Sequence, residues 1–67
     1  MEMKTSSLLK KAAEKAALDM IEKDLSEIDI PGMESFHLSK EETPPTGYQE
    51  IEKIEVKGIA FYIFQRS

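Results

Sequence analysis

Ile59-Ala60-Phe61-Tyr62-Ile63-Phe64 is an uncharged, β-favouring run that holds three of the chain's five aromatic residues. β-branched and aromatic side chains suit a pleated, half-buried surface, so the run reads as a strand. Exposed, it would template aggregation, and the rest of the chain therefore has to supply a cover. The alanine-rich stretch near the N-terminus is the candidate for that cover.

Immediately upstream, residues 48 to 56 alternate with period two, and Lys57-Gly58 interrupts the pattern. Two readings fit the break: a two-residue hairpin turn, or a glycine bulge within one long strand. The hairpin is preferred. It sets Val56 opposite Ile59, Ile54 opposite Phe61 and Glu52 opposite Ile63 on one face. On the other face Ile51, Lys53 and Glu55 oppose Phe64, Tyr62 and Ala60.

Residues 7 to 28 read as one helix. Leu9, Ala13, Ala16, Ala17 and Met20 lie on one arc, and Leu18, Ile21, Leu25 and Ile28 continue the three-and-four spacing on a neighbouring arc. The small Ala12, Ala13, Ala16 and Ala17 allow close approach to a sheet. Thr5, Ser6 and Ser7 offer N-cap hydroxyls, but no Glu or Gln follows three residues later to complete a capping box. Lys10 and Lys11 sit near the positive end of the helix dipole, an unfavourable placement of a few tenths of a kcal/mol. Pro31 disfavours helical geometry at Ile30 and, with Gly32, forms a turn, which places the helix end near Ile28 or Asp29.

Residues 33 to 39 alternate so that Phe36 and Leu38 share a buried side, the signature of a short strand. Residues 40 to 47 contain two prolines and no large apolar residue, and read as an exposed, mobile loop. The expected architecture is α+β: a single domain over residues 1 to 67, with one N-terminal helix packed in two layers on a three-stranded antiparallel sheet. Its element order is α-β-β-β, with strands near 33–39, 50–56 and 59–65.

At 67 residues, a single core barely offsets conformational entropy of roughly 1.5 kcal/mol per ordered residue. The chain has no cysteine, so neither disulfides nor thiolate-bound metal can staple it, and self-association is the remaining device. No stretch approaches the ~18 apolar residues of a membrane span. The opening Met-Glu-Met-Lys-Thr-Ser-Ser lacks the basic-then-apolar order of a signal peptide, making a cytoplasmic location the expectation. The net charge of −4 is uneven: residues 24 to 55 carry nine acids against two lysines. That acidic middle repels phosphate backbones and would suit a basic protein partner.

No residue constellation demands a reaction. His37 is the single histidine, and although Asp29, Glu34, Glu41 and Glu42 lie near it in sequence, they show no recurring metal-ligand spacing. On the strand reading His37 points away from Phe36 and Leu38, toward solvent. The serines have no base or oxyanion motif beside them, and Gly32, Gly47 and Gly58 are isolated turn residues rather than a phosphate loop. The expectation is a non-enzyme without metal or cofactor.

The functional expectation is a small regulatory or adaptor module that binds protein, acting as a homodimer or larger homo-oligomer. Its contact surface would be the second sheet face: Ile51, Tyr62 and Phe64, rimmed by Glu50, Glu52 and Glu55. The alternative is a nucleic-acid binder using Lys10, Lys11 and Lys15 on the helix. Lys10 lies far round the helix from the other two, and Glu14, Asp19 and Glu22 interrupt the patch, so a continuous phosphate track is not evident.

Overall fold

The computed structural model describes residues 7–67. Helix α1 (Ser7–Lys23) is followed by four strands: β1 (Glu27–Ile30), β2 (Met33–Ser39), β3 (Tyr48–Val56) and β4 (Ile59–Arg66). All neighbouring strands are antiparallel, in the order β1-β2-β4-β3. The class is α+β, as expected, but the sheet has four strands rather than three. The cap hydroxyls proposed on Thr5 and Ser6 lie outside the described residues. Ser7 is the first helical residue, and the first turn holds no acid to offset Lys10.

The extra strand comes from the end of the expected helix. α1 stops at Lys23 because Asp24 takes a left-handed conformation with φ 56°. The Leu25 amide then donates to the Met20 carbonyl at 2.9 Å and the Asp24 amide to the Ile21 carbonyl at 3.4 Å. This is the Schellman pair of bonds that closes a helix, with Leu25 packing back against the core. Glycine is the usual residue at that position, and aspartate is among the few others that tolerate it. The three-and-four spacing of Leu25 and Ile28 had extended the helix past this cap. Yet Glu27-Ile28-Asp29-Ile30 also alternates with period two, and it is as a strand that Ile30 becomes buried.

The hairpin reading of residues 48–66 holds. Lys57 and Gly58 both have positive φ, 54° and 79°, the pattern of the primed turn whose twist matches that of the flanking strands. Val56 pairs with Ile59, Ile54 with Phe61, Lys53 with Tyr62 and Glu52 with Ile63. A register shift between Glu50 and Glu52 places Glu50, not Ile51, opposite Phe64, so a bulge occurs in β3 in addition to the turn. The 40–47 loop is exposed for most of its length. Its ends are pinned: the Glu41 amide donates to Ser39 Oγ at 3.0 Å, the Tyr48 amide to the Pro45 carbonyl at 3.0 Å, and the Ser67 amide to the Gly47 carbonyl at 2.8 Å.

α1 covers one face of the sheet. Leu9, Ala13, Ala16, Ala17 and Met20 meet Ile30, Leu38, Ile54, Phe61 and Ile63 in one buried cluster. The alanines bring the helix backbone close, so the bulky side chains of this core come mainly from the sheet. Phe61 and Met20 are fully buried. Truncating Phe61 to Ala removes about 3–5 kcal/mol, comparable with the whole stability of a domain this size, roughly 3–10 kcal/mol. Far-UV circular dichroism of Phe61→Ala at 25 °C is expected to show a largely unfolded chain. Asp24→Gly, by relieving the left-handed penalty, is expected to stabilise by up to about 1 kcal/mol and to raise the melting temperature. A lower melting temperature would show that the Asp24 side chain supports the cap in some other way.

Candidate functional site

The face of the sheet away from α1 carries the alternate residues of each strand: Glu27 and Asp29 of β1, His37 and Ser39 of β2, Tyr62, Phe64 and Arg66 of β4, and Tyr48, Glu50, Lys53 and Glu55 of β3. This face has no second helix. Its most constrained group is His37, whose side chain is only 16% exposed. Nδ1 lies 2.8 Å from Asp29 Oδ1 and Nε2 lies 3.1 Å from Glu27 Oε1. The register explains both contacts. Asp29 is directly opposite His37 and reaches it with a short side chain, whereas Glu27 pairs with Ser39 and uses its longer side chain to cross the diagonal.

Two carboxylate acceptors on one ring call for two N–H donors, which imidazole has only when protonated. Burial, the largest single influence, pulls the pKa of His37 down. The hydrogen bonds and charges of Asp29 and Glu27 together outweigh it, leaving the group raised above its ordinary 6.5. When the ring is protonated the pair of bonds satisfies both of its N–H groups, and it ties the four-residue edge strand β1 to β2.

The His37 ring also meets the Tyr48 ring, centroid to centroid at 5.7 Å and tilted by 49°. These residues belong to β2 and β3, which are separated by β4, so the contact is made across that strand. The β4 residue between His37 and Glu50 is Phe64, and it is fully buried although no helix lies on its side. Phe64 is thus covered on the side of the sheet that carries no helix. Arg66 lies 6.0 Å from the Tyr48 ring centre, and Lys53 lies 6.0 Å from that of Tyr62. Each cation sits over its cross-strand partner.

The residues expected to form an aromatic contact surface are therefore divided. Phe64 is buried within the chain, and Ile51, displaced by the bulge, packs against the helix-side core. Tyr62 alone of the three is half-buried on the uncovered face. Glu50 and Glu55 are exposed there, whereas Glu52, opposite Ile63, belongs to the helix side. Lys10, Lys11 and Lys15 are exposed on α1, the layer opposite Tyr62 and Arg66, and do not join them in one basic track. Lys15 borders a cleft of about 480 Å³ between α1 and β1, lined also by Ala12, Ala16, Asp19, Ile28 and Pro31. Tyr48 and Glu27 are the site residues that sequence reasoning missed. Tyr48 begins the period-two stretch but carries no signal of a contact with His37 two strands away, and Glu27 falls within the stretch that reads as helix.

Among the described residues no group of three or more His, Cys, Asp or Glu side chains could hold a metal ion. Both ring nitrogens of His37 are directed at carboxylates instead. Among the same residues no helix is long and apolar enough to cross a membrane. Comparison with known protein families, with curated proteins and with solved structures finds no match to this chain. Its function has to be read from the geometry just described.

Because the folded pKa of His37 is raised, the stability it contributes is fully present below the unfolded value near 6.5 and is lost as pH rises through the folded value. An NMR titration of the His37 ring is expected to give a midpoint above 6.5, with thermal stability falling through the same interval. In the double variant Glu27→Gln, Asp29→Asn the midpoint should drop and the dependence flatten. An unchanged midpoint would mean that the carboxylates do not hold the proton.

Proposed function

We propose that this chain is a non-catalytic regulatory or adaptor module of the cytoplasm that binds protein through its uncovered sheet face and works as a homo-oligomer. The observation that carries the reading is the asymmetry of the sheet: α1 covers one face, and among the described residues no helix or strand lies on the other. At its middle, Tyr62 is half-buried beside Lys53, with Glu50 and Glu55 exposed on the neighbouring strand. A tyrosine offers a large, rigid contact area with a polar tip, and such residues anchor protein interfaces when charged neighbours form the rim. The surrounding acids favour a partner with basic side chains. No pair of groups on this face is arranged as nucleophile and base, which favours binding over catalysis. The alternative, a nucleic-acid surface on Lys10, Lys11 and Lys15, has less support, since those lysines lie on the helix layer and Tyr62 and Arg66 on the opposite face of the sheet.

Replacing Tyr62 by Ala is expected to weaken partner binding or assembly by ~1–3 kcal/mol while leaving the helical circular dichroism signal intact. Loss of that signal would assign Tyr62 to the core and remove the interface reading. Binding of DNA or RNA that disappears with Lys10, Lys11 and Lys15 changed to Glu would transfer the function to the helix.

A further inference from the structure

The sheet has two edges, and they differ. β1 is four residues long, is followed by Pro31 and carries the carboxylates that hold His37. It is short and blunted, as protected edges are. β3 is nine residues long and lies at the other end of the strand order, with no strand beyond it among the described residues. Its hairpin closes on Val56 and Ile59, and the residues that flank a two-residue turn exchange both hydrogen bonds. Counting back by twos, Val56, Ile54 and Glu52 direct their main-chain groups toward β4. Lys53 and Glu55 direct theirs outward.

We propose that the outer edge of β3 pairs with the same edge of a second copy of this chain, antiparallel and centred on Ile54, joining two four-stranded sheets into one of eight strands. The inference rests on the protein-interaction reading above and names the second copy as one partner. Charge complementarity chooses both the partner and the register. A two-fold axis through Ile54 sets Lys53 opposite Glu55 of the second copy and Glu55 opposite its Lys53, giving two opposite-charge pairs. In this register Lys53 and Glu55, the residues with outward main-chain groups, also form the hydrogen-bonded pairs. Centring on Lys53 would oppose lysine to lysine. Centring on Glu55 would oppose glutamate to glutamate and Lys53 to Lys57. A shift by a single residue would pair outward groups with inward ones. The bulge at Ile51 and the turn at Lys57 bound the contact to residues 52–56. In this arrangement both helices lie on the same side, and the two uncovered faces, with their Tyr62 side chains, become one continuous surface.

The test is charge reversal and rescue, read by sedimentation equilibrium. Lys53 and Glu55 are exposed, so neither reversal should disturb folding, and circular dichroism of each variant checks this. The wild type is expected to dimerise. Lys53→Glu puts two glutamates opposite each other at both contacts, Glu55→Lys puts two lysines there, and each variant alone should weaken self-association about tenfold or more. An equimolar mixture of the two variants restores opposite charges at both contacts and is expected to form heterodimers as tight as the wild-type dimer. A doubly reversed chain should likewise recover self-association. A wild type that stays monomeric up to millimolar concentration overturns the inference, as does a dimer indifferent to both reversals. The two readings fail separately. A dimer that is lost with Tyr62→Ala and unaffected by the reversals would locate the contact on the uncovered face. Reversals that abolish the dimer while Tyr62→Ala leaves it intact would support the edge.

Discussion

The whole arrangement depends on the position of β4 at the inside of the sheet, because a strand with Phe61, Ile63 and Phe64 fully buried needs cover on both of its faces. One side receives α1. The other receives no helix or strand among the described residues; there His37 and Tyr48 meet across β4, and Phe64 lies between the cross-strand neighbours His37 and Glu50. The molecule is therefore divided into a helix-side core and a buried aromatic on the opposite face.

The His37 side chain is only 16% exposed, and an imidazolium so placed needs partners on both nitrogens. Glu27 and Asp29 supply them from the edge strand. The same two bonds add to the ladder that holds β1 to β2. Satisfying both ring nitrogens of His37 and securing an edge are thus one arrangement, and the Schellman turn at Asp24 makes it possible by ending the helix early enough for residues 27–30 to become a strand.

Charge on the remaining surface is distributed by the same alternation. Once the pleat directs Ile54, Phe61 and Ile63 to the helix, Lys53, Glu55 and Tyr62 are directed away from it, and the bulge brings Glu50 to their side. The face left to solvent is a mosaic of both signs around a tyrosine rather than an apolar patch. Such a surface discriminates between partners through charge placement and register more than through area.

Much of this was legible in the chain. Period-two alternation around Lys57-Gly58 determined the hairpin, its pairing from Glu52 to Val56 and the face that meets the helix, because the turn sets the register and each residue's side follows from it. The alanine and leucine spacing determined the helix and its buried arc. Its C-terminal end was not legible, since Leu25 and Ile28 satisfy both a helical and a strand period, and an aspartate can stand where glycine usually marks the cap. The candidate site was legible only in part. Tyr62 and Glu55 lie on the expected face, Glu50 reaches it only through the bulge, and His37 was correctly directed away from Phe36 and Leu38. The bulge that withdraws Ile51, the burial of Phe64 and the clasp of His37 by Glu27 and Asp29 were decided by tertiary structure. Each depends on which strands lie side by side, and local pattern carries a residue's face but not the neighbour that a strand order of β1-β2-β4-β3 brings beside it.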